Sequence, residues 1–295
     1  MRKLRHYIIP IILSVLLLAA SGWAQTWQKP YKGIQLNKTH PLAKWLLAAW
    51  AMNENGGNTV FDSSGHGNNL SFSSGTTWDR DGVNCSANTS KLYSVAGNGI
   101  VDQNEGSVVF RYKRIQSLTR YDSFFNVENA TNNSPHEMLA AINFPGGIDA
   151  LYFYPNVDQS SGAYVRVDVT PSDTVFPTTS FVQVAIVWKN GSTLKIYIDG
   201  RDASVNSGVY AWTASAWVNS EQFFIGLQAD TFPAGGIFKH FFVFNKCLSI
   251  NSINQLAVEP YAMFESRRSA GIFGFATAGG TVFMHPIRRF LGDGY

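Results

Sequence analysis

Hydrophobic and polar positions alternate most clearly between residues 181 and 205, where two turn dipeptides separate three short segments. In the middle segment, Leu194, Ile196 and Ile198 alternate with Thr193, Lys195, Tyr197 and Asp199. A period of two directs one set of side chains into a core and the other toward solvent. The dipeptides Asn190-Gly191 and Asp199-Gly200 favour type I′ turns, which need positive φ at two successive residues. We therefore predict three antiparallel strands joined by two hairpins.

Similar short hydrophobic segments occur elsewhere in the chain, with Gly, Pro and Asn between them. They lie at residues 70–73, 91–95, 106–113, 123–127, 138–144, 150–154, 164–169, 222–226 and 238–244. Residues 42–52 are almost continuously apolar, and the turn formers that follow favour a strand of about eight residues over a buried helix. Residues 75–82 have the composition of a turn region. Many short strands at such spacing are typical of an all-β sandwich of two antiparallel sheets.

A single helix is predicted near the end of this pattern, at residues 249–258. Ser249 is a suitable N-cap, and Pro260 cannot continue the helix. Apolar residues recur on one helical face at Ile250, Ile253, Leu256 and Ala257. The strand pattern begins at residue 42, after a polar leader at 25–41, so we expect one domain over 42–266. Residues 267–295 form a tail of unknown role.

The first 24 residues have the features of an export signal. Basic residues precede an apolar stretch, and small residues then lead to a cleavage site after Ala24. An uncleaved membrane anchor is the alternative, because about 17 apolar residues is the lower limit for a membrane span. Export implies a secreted, periplasmic or cell-surface protein.

Composition and charge limit the classes of partner. Charged residues make up only 15% of the chain, and the formal net charge is +3. Much of the excess lies in the leader and the tail, so the body is close to neutral. This distribution is unlike that of a nucleic-acid-binding protein.

Two cysteines, Cys85 and Cys247, are present in the whole chain. In an exported protein an even number of cysteines favours a disulfide, and only one pairing exists here. The alternative is two free thiols, which behave in a core as small hydrophobic groups.

Three blocks of sequence together resemble the laminin-G-like, concanavalin A-like lectin/glucanase family of bacterial and phage proteins. Residues 46–70 contain a G-G turn followed by D-S-S-G-H-G-N-N, and residues 181–200 contain the paired central strands. Residues 237–256 resemble the closing strand, its N-x-x-L-S corner and the short helix. The resemblance implies a jelly-roll sandwich that binds carbohydrates, or less often proteins.

The resemblance also raises the question of calcium, which some members carry near the D-S-S-G loop. Asp62 could supply a carboxylate there, since calcium takes six to eight oxygen ligands. Lys239 and His240 stand where calcium-binding relatives often have an Asp-Glu pair, and a cation would oppose a metal. The alternative role for Asp62 is to cap its own turn by accepting backbone hydrogen bonds. We expect no cofactor, with calcium as the alternative.

Catalysis is not expected. Glucanases of this fold need two carboxylates on one strand face, about 5–5.5 Å apart in a retaining enzyme, and the pattern E-x-D-x-E is absent. The nearest acid pairs are Asp79/Asp81, Asp122/Glu128 and Asp199/Asp202, of which the first and third lie in turn sequences. The histidines lack the spacing of a zinc site or a triad.

The sequence therefore predicts an exported, non-catalytic binding module for a carbohydrate or another surface polymer. Exposed aromatic rings are the usual platforms for sugars, and four candidates in predicted loops are Trp78, Tyr210, Trp212 and Trp217. A loop aromatic can instead fold back as a hydrophobic plug. The alternative function is a structural or interaction protein, such as a cell-surface or virion-decoration component with a protein partner. Membrane contact is expected only through an uncleaved leader.

Overall fold

The computed structural model describes residues 29–31, 33–87, 89–94, 100–115, 122–129, 138–142, 150–155, 165–168, 175–205, 211, 221–228 and 232–264. The chain divides into two units, residues 1–265 and residues 266–295, and the second lies outside these ranges. The predicted leader with its cleavage site at Ala24 also lies outside them, as do Tyr210, Trp212 and Trp217. Within the described ranges there is no helix long and apolar enough to cross a membrane.

Eighteen strands and one α-helix account for most of the described structure. The first nine strands are β1 Leu46–Trp50, β2 Thr59–Val60, β3 Leu70–Phe72, β4 Thr77–Asp79, β5 Gly82–Asn84, β6 Leu92–Tyr93, β7 Glu105–Arg114, β8 Asp122–Asn129 and β9 Met138–Ile142. The others are β10 Ala150–Tyr154, β11 Val165–Asp168, β12 Val182–Lys189, β13 Thr193–Ile198, β14 Arg201–Asp202, β15 Glu221–Ile225, β16 Leu227–Gln228, β17 Phe232–Pro233 and β18 Gly236–Phe244. A 3-10 helix covers Ala43–Trp45, and helix α1 covers Ile250–Val258.

Two eight-stranded sheets form the body of the fold. The first sheet has the order β14-β13-β12-β7-β18-β5-β4, with β1 also paired to β18. The second sheet has the order β11-β10-β9-β8-β15-β6-β3-β2. All of these pairings are antiparallel. The predicted all-β, antiparallel two-sheet jelly-roll sandwich with one short C-terminal helix is confirmed.

Aromatic side chains fill the space between the two sheets. Trp50 of β1 stacks on Phe223 of β15 with ring centroids 5.4 Å apart, and Phe110 of β7 stacks on Phe241 of β18 at 5.0 Å. Each of these side chains is fully buried. Full burial of one such residue stabilises the fold by roughly 1.5–3 kcal/mol. The alternating residues of the strands therefore hold the sheets together as the pattern predicts.

A second apolar cluster covers the other side of the first sheet. Helix α1 buries Ile253 and Leu256 there, and its N-cap Ser249 accepts a hydrogen bond from the backbone of Ser252, as expected. Leu42 and Tyr197 belong to the same cluster. The expectation that Tyr197 lies on a solvent-facing side of β13 is therefore wrong. The helix and residues of the polar leader shield that side, which no period-two pattern can indicate.

The two predicted hairpins differ in their turns. Asp199 and Gly200 have φ values of 46° and 78°, so the second turn has the two positive φ angles of type I′. In the first turn only Gly191 has positive φ, and Lys189 pairs with Thr193. The first hairpin thus has a three-residue loop instead of the predicted two-residue turn.

Two other local expectations are corrected. The apolar run 42–52 contains the 3-10 helix and only five strand residues, since β1 begins at Leu46. Residues 75–82, interpreted as a turn region, contain β4 and lead into β5, which forms a hairpin with it. Trp78 therefore lies on a strand and not in a loop.

The cysteines are both free thiols, so the predicted disulfide is wrong. Cys85 follows β5, and its N–H donates to Gly236 at the start of β18, whereas Cys247 lies beyond the end of that strand. Since β18 has nine residues, its ends are about 26 Å apart at a rise of about 3.3 Å per residue. Disulfides require Cα atoms roughly 4.4–6.8 Å apart. Burial also raises the pKa of Cys85 well above its ordinary value, which makes that thiol unreactive.

We expect reducing agents to leave the melting temperature of the protein unchanged. We also expect iodoacetamide to modify the half-buried Cys247 in the folded protein and both cysteines in denaturant, since Cys85 is fully buried. Mass spectrometry counts the added groups. A denatured, unreduced protein that takes up no label would contradict the structure.

Candidate functional site

A row of side chains crosses the outer face of the second sheet, the face that points away from the core between the sheets. The pairing register aligns Tyr154, Leu139, Asn126, Phe224 and Tyr93 on five neighbouring strands, and we call them the outer row. Their neighbours along the strands, among them Phe125 and Val127, lie in the core between the sheets. Because side chains alternate across a strand, the outer row faces the opposite way.

Asn126 lies at the centre of the outer row, and its side chain is only 1% exposed. Within the described part of the chain, neither its amide nitrogen nor its amide oxygen has a hydrogen-bond partner. Ser123, on the same strand, is fully buried, and its hydroxyl also lacks a partner. Buried polar groups in native proteins are nearly always hydrogen-bonded, and leaving one unpaired costs about 1–3 kcal/mol. These two side chains therefore offer donors and acceptors that the described protein does not use.

Aromatic rings flank the amide on both sides. Tyr152 and Tyr154 of β10 stack with centroids 6.0 Å apart and ring planes at 17°. On the other side, Lys91 places its ammonium group 4.9 Å from the ring centroid of Phe224. Tyr154 and Tyr93 are half-buried, so the ends of the outer row are more accessible than its centre. The three central residues, Leu139, Asn126 and Phe224, are themselves uncharged, and the Lys91 ammonium group lies beside them over Phe224.

This arrangement can bind an uncharged ligand that carries several hydroxyl groups. An amide can donate to one hydroxyl and accept from another, and aromatic faces pack against apolar ring surfaces. Sites of this kind combine mainly apolar walls with a few well-placed polar groups.

Of the four predicted ligand-binding aromatics, only Trp78 lies in the described part of the chain. Its ring nitrogen donates to the backbone of Gly57 at 2.7 Å, and its ring lies 5.1 Å from that of Phe72. The side chain is half-buried and packs against the core between the sheets. These contacts match the alternative role of Trp78 as a hydrophobic plug. Trp78 belongs to β4 of the first sheet, whereas the outer row lies on the second sheet.

Asp62 has the geometry of a turn cap. Its Oδ1 atom accepts from the backbone N–H groups of Ala49 and Ser64, at 2.9 and 2.8 Å. Its Oδ2 atom accepts from the hydroxyl of Ser64 at 2.7 Å and from the N–H of Asn68 at 2.9 Å. These four donors occupy the positions through which a calcium ion would bind the carboxylate. In the described ranges, no three His, Cys, Asp or Glu residues cluster in a way that could hold a metal ion.

The acid pairs are placed for structural roles. Asp79 accepts a hydrogen bond from the N–H of Asp81 within the β4–β5 turn, and Asp202 pairs with Lys195 at 2.6 Å. Asp122 and Glu128 lie six residues apart on β8, which separates their Cα atoms by about 20 Å. Glycosidases of both stereochemical types need carboxyl groups within about 10 Å of each other.

The alternation of residues along β8 and β10 indicates part of the outer row, whereas amino-acid composition does not. The segments F-F-N-V of β8 and A-L-Y-F-Y of β10 place Asn126, Tyr152 and Tyr154 on the side opposite their large apolar neighbours. The amide and the two tyrosines can thus be assigned to one face of their strands from the sequence alone. Only the pairing register, however, brings these two strands to the same sheet.

Comparisons with known proteins agree with this fold. Residues 112–254 match the family model described as the concanavalin A-like lectin/glucanases superfamily. The resemblance inferred from the three sequence blocks is thereby confirmed. No curated protein matches the chain.

Solved structures of low sequence identity share the fold. A structure of botulinum neurotoxin type C, whose title states that cell entry depends on interaction with two ganglioside molecules, is 15% identical over 73% of this chain, with a TM-score of 0.56. The binding domain of botulinum neurotoxin DC in complex with SialylT is 16% identical over 73% of this chain, with a TM-score of 0.54. The chain covers 51% and 52% of those two chains, about half of each. A Trypanosoma rangeli sialidase in complex with 2,3-difluoro-KDN is 9% identical over 75% of this chain and 33% of its own, with a TM-score of 0.55.

Proposed function

We propose that this chain is an exported, non-catalytic binding module whose ligand is a carbohydrate held on the outer row. The observation that carries the proposal is the buried amide of Asn126, whose two polar atoms lack partners while aromatic rings stand on either side. A sugar supplies vicinal hydroxyl groups for such an amide and an apolar ring face for a neighbouring aromatic residue.

The comparisons support the ligand class. The fold is shared with toxin domains whose titles name gangliosides and SialylT, and with a sialidase. A fold by itself does not determine a ligand, because the same architecture hosts many functions. The outer row therefore has to supply the argument, and the uncharged side chains of its five residues favour a neutral saccharide unit.

We propose that the protein is not catalytic because of where its acidic residues lie. The Asp79/Asp81 and Asp199/Asp202 pairs lie in turns, where Asp199 accepts from the backbone of Gln183 and Asp202 pairs with a lysine. Neither pair lies beside the outer row. A secreted, periplasmic or cell-surface location is proposed from the basic and apolar leader at residues 1–24.

A glycan array probed with the purified protein tests the ligand class. We expect retention on a subset of neutral saccharides, and no release of reducing sugar from the bound glycans over hours. Release of reducing sugar would make the protein an enzyme. Failure to bind any glycan, together with capture of a second copy or of a surface protein, would favour the alternative function as a structural or interaction protein.

A further inference from the structure

The first sheet contains a notch at the centre of β18. Strand β7 pairs along one edge of β18 for its whole length. On the other edge, β5 pairs with Ile237 and Phe238, whereas β1 pairs with residues 241–244. Lys239 and His240 lie between these two partners, at an irregularity in the pairing with β7.

Four cationic side chains gather around the notch. The ammonium groups of Lys113 and Lys239 lie 5.1 and 5.3 Å from the ring centroid of Phe181. Lys29 donates to the backbone oxygen of Met52 at 2.7 Å, just beyond the end of β1. Arg111 is the direct pairing partner of His240.

Burial, neighbouring cations and nearby carboxylates all act on these cations. Burial lowers the pKa of Lys239, and the charges of Arg111 and Lys113 lower it further, while Asp81 opposes them. Burial together with the charge of Lys239 lowers the pKa of Lys29 to about 8. Among the described residues, Lys29, Lys113 and Lys239 form no ion pair. Three partly buried lysines therefore lie near the notch without a direct ion pair to a described carboxylate.

Two buried side chains in the same place, Gln183 and His240, have polar atoms without a hydrogen-bond partner among the described residues. Gln183, Arg111 and His240 form one row across three neighbouring strands. The side chain of Gln183 is fully buried, and neither its amide nitrogen nor its amide oxygen has a partner. His240 is also fully buried, with its Nδ1 atom 3.1 Å from the hydroxyl of Tyr261 and its Nε2 atom without a partner. If Tyr261 donates, Nε2 carries the proton and is a free donor.

We propose that this notch binds an oxyanion, namely a carboxylate, sulfate or phosphate group. The ammonium groups of Lys29, Lys113 and Lys239, which form no ion pair with a described residue, attract such a group, and hydrogen bonds from charged donors are about twice as strong as those between neutral groups. The amide of Gln183 and the Nε2 atom of His240 supply neutral donors at the base of the notch. This site lies on the first sheet, on the side that faces away from the core, so it is separate from the outer row.

The oxyanion can be a small free ion or an acidic group on a larger saccharide. In both cases the notch would bind the same oxyanion group. The two sources differ only in the size of the ligand that carries this group. Sodium sulfate, sodium phosphate and an oligogalacturonate of about six units serve as probes for the two sources.

Thermal unfolding and calorimetric titration at constant ionic strength provide the test. We expect sulfate or phosphate to raise the melting temperature with a saturating dependence on concentration. Sulfate and phosphate also stabilise proteins without binding, because they are excluded from protein surfaces, but that effect does not saturate. A higher affinity for the oligogalacturonate than for either inorganic ion would identify the saccharide as the source. Equal affinities would identify the free ion.

Matched variants separate binding from general salt effects. The double variant K113Q/K239Q is expected to weaken oxyanion binding by at least about tenfold, since each lost charged hydrogen bond is worth roughly 1.5–3 kcal/mol. Lys44→Gln is the control, because Lys44 also lies over an aromatic ring, at 4.6 Å from the Trp45 centroid, but outside the notch. Gln183→Leu is expected to weaken binding without loss of stability, as it removes two unpaired buried atoms.

Two results would overturn the proposal. The first is the absence of any saturating response to all three probes. The second is a response of equal size in the wild type and in K113Q/K239Q, which would show that the ions act through exclusion from the surface. If the double variant does not fold, Gln183→Leu alone decides: unchanged affinity would then refute the site.

Discussion

Replacement of Asp62 by alanine is expected to lower the free energy of unfolding by about 3 kcal/mol, or more. The carboxylate accepts four hydrogen bonds, from Ala49, Ser64 and Asn68, and so holds the D-S-S-G-H-G-N-N loop against β1. Hydrogen bonds to a charged group contribute roughly 1.5–3 kcal/mol each, and water compensates for part of the loss in a half-buried loop. The same loop accepts the ring N–H of Trp50 at the oxygen of Asn68, at 2.7 Å. Loss of the loop would thus disturb the aromatic core.

Asp79→Ala is the matched control for this prediction. Asp79 also stands in a turn, but its carboxylate accepts a single hydrogen bond, from the N–H of Asp81 at 2.9 Å. We expect this variant to lose no more than about 1 kcal/mol. Equilibrium unfolding in urea measures both values. If the two variants lose equal stability, Asp62 does not organise its loop. A rise in wild-type melting temperature on addition of calcium, absent in Asp62→Ala, would restore the metal interpretation.

Acidification from pH 7.5 to pH 5 is expected to lower the free energy of unfolding by up to about 2 kcal/mol through His240 alone. Burial lowers the pKa of His240 well below 6.5, and the charges of Arg111, Lys29 and Lys239 lower it further. In the unfolded chain the imidazole titrates near pH 6.5. Below that pH the unfolded state binds a proton that the folded state does not, so stability falls by up to about 1.4 kcal/mol per pH unit. Above pH 6.5 the imidazole is neutral in both states, so His240 no longer changes the stability of the fold as the pH rises.

The cations that face His240 change little in the range where the imidazole titrates. Arg111 remains protonated. Lys29, whose pKa is about 8, is partly deprotonated at pH 7.5 but takes up its proton before the pH falls to 6.5. The pKa of Glu105 is lowered from 4.5 because the hydrogen bond from Lys246 and other interactions outweigh its partial burial, so this carboxylate titrates at lower pH. We expect His240→Gln to flatten the dependence of stability on pH between 5 and 6.5, and His66→Gln, which replaces an exposed histidine, to leave it unchanged. An identical slope in all three proteins would show that His240 is protonated in the fold.

Period-two patterns predicted the strands of the sandwich because each central strand buries one continuous face. Strands β7, β8, β10 and β18 begin and end within two residues of the predicted segments. The 3-10 helix before β1 and the β4–β5 hairpin were missed, since a short polar hairpin and an apolar helical turn have no period of their own. The side of the first sheet under helix α1 was also misjudged, because its coverage depends on segments distant in sequence.

The candidate site could be predicted only in part. Each strand of the outer row displays its polar or aromatic residue in the sequence, but the row exists only once the register aligns Asn126 with Leu139 and Phe224. The predicted disulfide was wrong for a related reason: an even number of cysteines gives no information about the distance between Cys85 and Cys247. The notch likewise depends on two strands, β1 and β5, that share one edge of β18. Local patterns determine strands, whereas sites form where strands from different parts of the chain meet.

A calorimetric titration of the best neutral saccharide from the array into wild type and Asn126→Leu tests the central claim most directly. Leucine has a similar size and leaves no unpaired polar atom, so we expect the stability of the variant to equal or exceed that of the wild type. We expect its affinity for the saccharide to fall at least about tenfold, because the ligand loses both hydrogen bonds to the amide. Gln183→Leu, the same change at a buried amide of the other sheet, should bind the saccharide as the wild type does. Equal affinity in wild type and Asn126→Leu would contradict a carbohydrate site on the outer row.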